Sequence, residues 1–94
     1  MLTVRVESKK EFGAKVCGEW EGVISARQER RVLQALDAFA HEASLQGEAL
    51  ALRLKSNDER WLAVGGPMLG CELQSQADNH IATVRFAADS WRTW

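Results

Sequence analysis

Neither basic nor acidic residues dominate this chain: 12 Lys and Arg stand against 13 Asp and Glu, for a formal net charge of −1. Binding to nucleic acid by phosphate neutralisation shows as a Lys/Arg excess gathered on one face, and none is present. The densest basic group, Arg27, Arg30 and Arg31, is followed in the next helical turns by Asp37 and Glu42. Binding to a membrane surface fails on the same balance. No nucleic acid and no membrane is therefore expected among its partners. No apolar run approaches the length that spans a bilayer. The start, Met1-Leu2-Thr3-Val4-Arg5, has neither the basic opening nor the continuous apolar core of a secretory signal. Cysteine is scarce, with only Cys17 and Cys71. Both are expected to be free, buried thiols in a reduced, cytoplasmic protein. Linkers, repeats and low-complexity segments are missing too, so residues 1–94 are expected to form a single α+β domain.

What is present is a set of strand signatures around one helix. Leu50, Leu52 and Leu54 alternate with Ala51, Arg53 and Lys55, the period of two that marks a strand with one buried face. Ser56-Asn57-Asp58-Glu59 supplies turn chemistry, Trp61 to Val64 resumes the strand, and Gly65-Gly66-Pro67 predicts a second turn. Leu69, Cys71 and Leu73 then share a face, and Ile81 to Ala87 predicts a last strand with Ala82, Val84 and Phe86 inward. Upstream, Leu2, Val4 and Val6 mark a first strand. Val16, Gly18, Trp20, Gly22 and Ile24 mark a second, interrupted by glycines. Between them and Leu50, Ser25-Ala26-Arg27-Gln28 matches a capping box. Val32, Leu33, Leu36, Phe39, Ala40 and Ala43 follow helical spacing from about Ser25 to Gln46, with Gly47 as the stop. The fold class predicted is α+β: a mainly antiparallel sheet of five to six strands on one long α-helix, in the order β-β-α-β-β-β-β.

Motifs that carry chemistry are thin. Gly65 to Gly70 resembles a phosphate loop only in glycine content, since Cys71-Glu72 follow where Lys-Ser/Thr and a helix are required. A hairpin turn is the expected reading. Cys17, Cys71, His41 and His80 form a permissible zinc set, but no two share ligand spacing. A reactive thiolate wants cationic surroundings, whereas Glu19 and Glu72 sit beside the two cysteines and would raise their pKa. Glu19 and Glu21 as an acid and base pair are better read as a solvated strand face. No catalytic residue, metal or cofactor is expected, and the chain is not expected to be an enzyme.

Four tryptophans without a single tyrosine are the remaining oddity. Trp20 falls on a core face. Trp61 falls on the face shared with Arg53 and Lys55, and Trp91 and Trp94 close the chain. Partly exposed tryptophan is enriched where one protein grips another. The block Leu50-Ala51-Leu52-Arg53-Leu54, Trp61-Leu62-Ala63-Val64-Gly65-Gly66 and Gly70-Cys71-Glu72-Leu73 resembles a group of small bacterial immunity proteins. It is similar to the polymorphic-toxin immunity family often paired with deaminase toxins. The likeness covers the second half of the chain, and the tryptophan-rich end fits it. It implies a non-enzymatic immunity protein that binds and blocks a cognate toxin domain, with nucleic-acid-modifying domains among the toxins implied. The partner-binding residues expected are Trp61, Trp91 and Trp94 as anchors, with Glu19, Glu21, Glu72 and Asp89 facing a basic cleft. The alternative is a homo-oligomeric structural or assembly protein, such as a phage or secretion-system component, associating as a homodimer or larger body through a sheet edge or the tryptophan tail.

Overall fold

The computed structural model describes residues 1–9, 16–42, 47–87 and 91–93, of which 8–9, 16–18, 87 and 91–93 are placed as backbone alone. The elements run β1 (Leu2–Lys9), β2 (Val16–Val23), α1 (Ala26–His41), β3 (Ala49–Lys55), β4 (Trp61–Gln76), β5 (Asn79–Ala87) and β6 (Trp91–Thr93). The class is α+β. Neighbouring strands lie in the order β2-β1-β5-β4-β3, with β6 also paired to β4. Pairing is antiparallel everywhere except between β1 and β5, which run parallel from Leu2↔His80 to Lys9↔Ala87.

The sheet curls into a half-barrel because its two outer strands meet at one end. Ile24 bridges Ser56, the Asn57 N–H donates to the Val23 carbonyl at 2.7 Å, and the Ser25 N–H donates to the Lys55 carbonyl at 3.1 Å. Alternation then fixes which side is apolar. Leu2, Val4, Val6, Trp20, Leu50, Leu54, Leu62, Val64, Met68, Ala82, Val84 and Phe86 all point into the curl, where Val32 and Leu36 of α1 meet them. The inward sets expected for β1, β3 and β5 agree with this burial, as do Trp20, Gly22 and Ile24 of the set expected for the second strand, whose Val16 and Gly18 are placed as backbone alone.

Four expectations change. Gly65-Gly66-Pro67 is not a turn, because β4 runs unbroken for 16 residues and pairs these three with Ala51, Leu50 and Ala49. Proline is tolerated there for a local reason. Met68 N–H donates to the Glu48 carbonyl, so alternation turns the nitrogen of Pro67 away from β3. It thus falls between the stretch paired with β6 and the stretch paired with β5, where a ladder donor is not required. Leu69 does not share a face with Cys71 and Leu73 either. The ladder slips between Met68 and Gly70, so Leu69 is the extra residue of a bulge and is 55% exposed.

The helix is also shorter than expected, 16 residues ending at His41, with Glu42 already in extended conformation. Its apolar stripe thins after Leu36: Phe39 is half-buried and Ala40 exposed, so little burial remains to hold another turn. Residues 43–46 of the expected helix lie outside the described residues. At the other end Ser25 precedes the first turn, but its hydroxyl makes no cap. Gln28 serves the neighbouring sheet edge instead: its Nε2 donates to the Arg53 carbonyl at 3.3 Å, and its Oε1 accepts from the Lys55 N–H at 2.6 Å. One side-chain amide thereby stands in for the peptide group of a further strand beside β3. Gln28→Ala should cost about 1 kcal/mol in denaturant unfolding. Gln28→Glu should cost more, since a carboxylate oxygen then faces the Arg53 carbonyl. Equal stability of both variants and the wild type would discard this edge cap.

Candidate protein-interaction surface

Pairing builds the outer face of the sheet as a grid of charges. Residues directly opposite across the ladders lie on the same face. Glu19 therefore stands beside Glu7, and Glu7 beside Arg85; one step along, Glu21 stands beside Arg5, Arg5 beside Thr83 and Thr83 beside Glu72. Arg85 joins two strands at once, its Nε 3.2 Å from Glu7 Oε2 and its Nη1 3.4 Å from Glu72 Oε1. Arg5 Nε lies 2.9 Å from Glu21 Oε2. Among the described side chains, four carboxylates and two guanidinium groups occupy this patch, with the Arg60 guanidinium at its border donating to the Glu21 carbonyl at 2.8 Å, and no ion pair reaches Glu19. The balance among them is mildly acidic. Exposed pairs of this kind add little stability, so the grid's consequence is its field rather than its strength.

The fold thus brings Glu19, Glu21 and Glu72 together from two distant parts of the chain. Trp61 sits elsewhere on the outer side. It is half-buried, with the Arg53 guanidinium 4.7 Å and the Lys55 ammonium 5.5 Å from the ring centroid. Glu72 lies eleven residues farther along β4, about 36 Å of extended strand, so the two belong to separate patches. Trp91 is opposite Val64 in the β4–β6 ladder, which makes the expected tail a short strand. Asp89 and Trp94 lie outside the described residues. Glu7, Arg5 and Arg85 are members of the grid that sequence reasoning missed. Alternation alone places them outward, but only the β1–β5 pairing puts them next to Glu19 and Glu72.

Groups with chemical potential elsewhere do not assemble into a reactive set. Ser75 Oγ lies 3.0 Å from His80 Nδ1 across the β4–β5 ladder, beside a depression of about 270 Å³ that Asp37 also lines. Asp37 is engaged with His41, its Oδ1 3.1 Å from the ring nitrogen, and so does not orient His80. Among the described residues no group of three or more His, Cys, Asp or Glu side chains is placed to hold a metal ion. No helix among them is long and apolar enough to cross a membrane. Cys71 is half-buried against α1, its Sγ 3.8 Å from the Leu36 carbonyl. Burial, and secondarily the charge of Glu72, pushes its thiol up to about 11. Against an ordinary 9.0 this leaves about a hundredfold less thiolate at pH 8. In a Cys17→Ser background, iodoacetamide should label Cys71 about a hundredfold more slowly in the folded protein than in urea. Equal rates would mean that the thiol is neither shielded nor shifted. The Cys17 side chain is not among those described.

No family model, curated protein or solved structure matches this chain.

Proposed function

We propose that this protein is a non-enzymatic binding protein, and specifically an immunity protein that occludes the basic, substrate-binding cleft of a cognate bacterial toxin domain. The observation that carries the reading is the acidic grid on the outer sheet face, built by Glu7, Glu19, Glu21 and Glu72 on three strands. A toxin that acts on nucleic acid needs a basic cleft, and a rigid sheet that presents spaced carboxylates is the complement of such a surface. The sheet's backbone is fixed by its ladders, so little ordering entropy is lost when the face docks. Trp61, held between two cations, supplies an aromatic contact at the far end of the same side. Trp91, Trp94 and Asp89 remain part of the proposed interface from the sequence. The resemblance of the second half of the chain to toxin immunity proteins supports the same reading.

The test is co-expression with the toxic domain encoded beside the gene. Cells should survive with the wild type, and the two proteins should co-purify. Glu19→Lys combined with Glu21→Lys should slow association by about tenfold at low salt and flatten its salt dependence, while the variant stays folded. Trp61→Ala should act mainly on dissociation. A wild type that neither protects nor co-purifies with its neighbour's product would rule out the immunity reading.

A further inference from the structure

β3 ends the strand order β2-β1-β5-β4-β3, so one of its sides faces no other described strand. The Glu48 carbonyl accepts from Met68 of β4, and alternation therefore turns the peptide groups of Ala49, Ala51, Arg53 and Lys55 away from β4. Near the seam this open side is closed off. The Ser25 N–H donates to the Lys55 carbonyl, and the Gln28 amide engages the Lys55 N–H and the Arg53 carbonyl. The opposite edge, on β2, is treated alike. Asn57 N–H donates to the Val23 carbonyl, the Arg60 guanidinium donates to the Glu21 carbonyl, and beyond them the strand carries the charge of Glu19. Ala49 and Ala51 are left. Both are exposed, and their N–H and C=O groups have no hydrogen-bond partner among the described residues. An edge is ordinarily blunted at such a place by a charge, a proline or a bulge. Two alanines stand there instead.

We infer that this short edge pairs with its own counterpart in a second copy of the chain, antiparallel about a two-fold axis at Leu50. In that register Ala49 of one copy stands opposite Ala51 of the other. Each such pair exchanges both of its hydrogen bonds, which uses every group that Ala49 and Ala51 leave open on the two copies. The match at the ends argues for a second copy over an unrelated strand. One step beyond Ala51 the Gln28 amide already holds the Arg53 carbonyl, so a strand of ordinary length cannot lie along the edge. A second copy brings Gly47 to that position. Its N–H is engaged with the Met68 carbonyl at 2.8 Å and needs no partner across the edge. Its φ of 88° turns the backbone off the extended path, and it has no side chain to displace the amide. The side chains agree as well. Ala49 falls beside Ala51 on the outer face, and Leu50 beside Leu50 and Glu48 beside Leu52 on the inner face, so no like charges are brought opposite each other. The pairing is isologous and closes at a dimer. Two residues of edge bury far less than the roughly 1,200–2,000 Å² of a stable interface, so the dimer is weak and forms at high protein concentration.

Charges placed at the two alanines test the register. Both lie on the exposed outer face, over Pro67 and Gly65 of β4, where longer side chains have room. Ala49→Lys/Ala51→Lys sets like charges opposite each other twice across the two-fold, and Ala49→Glu/Ala51→Lys sets opposite charges there twice. In sedimentation at low salt the wild type should show a monomer–dimer equilibrium by about 1 mM. The opposite-charge variant should associate about twofold to thirtyfold more tightly, and the like-charge variant more weakly by a similar factor. Ala51→Pro removes an N–H that β4 does not use and should abolish the dimer while circular dichroism shows the fold intact. In the wild type the amide protons of Ala49 and Ala51 should exchange more slowly as concentration rises, whereas that of Lys55, already bonded to Gln28, should not change. A wild type monomeric at about 1 mM overturns the inference. So does a dimer in which the two charge variants associate equally well, or one that leaves the Ala49 and Ala51 amides exchanging at an unchanged rate. The immunity reading is separable: the like-charge variant keeps Glu7, Glu19, Glu21 and Glu72 and should still protect cells.

Discussion

Gly22→Ala should be one of the most damaging single-methyl changes in the protein, lowering stability by about 3 kcal/mol. A Cβ built on Gly22 would lie 2.5 and 2.7 Å from the Cη2 and Cζ2 atoms of Trp20 and 2.9 Å from the Cβ of Ser56. None of the three can step aside. Trp20 is 2% exposed and closed in by the core, and Ser56 is 1% exposed. The Ser56 hydroxyl accepts from the Arg60 N–H and donates to the Asp58 carboxylate, and its backbone bridges Ile24. The extra methyl would therefore press on the seam where the half-barrel closes. For a domain of this size about 3 kcal/mol shifts Tm down by roughly 12–24 °C. A double-mutant cycle isolates the cause. Trp20→Phe removes the outer indole atoms, along with an Nε1 donor that has no partner among the described residues. In that background Gly22→Ala should cost about 1 kcal/mol less or better still. Additive costs would show that the glycine is needed for something other than the ring.

By local pattern alone Gly22 is a weak point in a strand, and its place in the fold lies beyond what local pattern carries. Alternation identifies the face of Trp20, Gly22 and Ile24 without any partner strand. That Gly22 lies under the ring of Trp20 depends on the curl, and the curl comes from β2 meeting the end of β3, more than thirty residues away. The same limit applies at Gly65-Gly66-Pro67. Its composition is that of a turn, yet Ala51, Leu50 and Ala49 lie opposite and the chain continues extended. A composition signal there lost to a pairing that only the assembled sheet supplies. Gln28 fits a capping box by spacing, but the open edge of β3 competes for its amide and takes it.

The candidate surface was half legible for related reasons. Glu19, Glu21 and Glu72 could be recognised as outward carboxylates because their neighbours Trp20, Gly22 and Cys71 point to the other side. That Glu7 and Arg85 complete the grid required knowing that the first and fifth strands run parallel and adjacent, a long-range contact with no local sequence mark. The cations around Trp61 were closer to hand. Arg53 and Lys55 share its face by alternation, and the hairpin joining β3 to β4 is local. Arg27 joins them only because the end of β2 is tied to the end of β3, which brings the first turn of α1 beside the Ser56–Arg60 turn.

The second large effect is expected in the helix, where burial is uneven along the apolar stripe. Leu36 is fully buried, Phe39 half-buried and Ala40 exposed, although spacing alone puts all three on one face. Leu36→Ala removes three carbons from the closed interior beneath the sheet and should cost about 3 kcal/mol, through lost transfer energy and a cavity that α1 cannot fill by shifting. Helix movement is limited at its start and along its length: Gln28 and Ser25 tie the first turn to β3, and Cys71 of β4 lies against the Leu36 carbonyl. Phe39→Ala should cost about half as much, since part of that ring already meets water. Ala40→Glu should change stability by less than about 0.5 kcal/mol. Leu36→Met, which conserves volume, should stay within about 1.5 kcal/mol of the wild type. Urea unfolding of the four variants ranks them directly. If Ala40→Glu proved as harmful as Leu36→Ala, the last turn of α1 would have to lie against the sheet, since Ala40 is only about 40° around the helix from Leu36. If Leu36→Ala were neutral, α1 would not be what closes the concave side of the half-barrel.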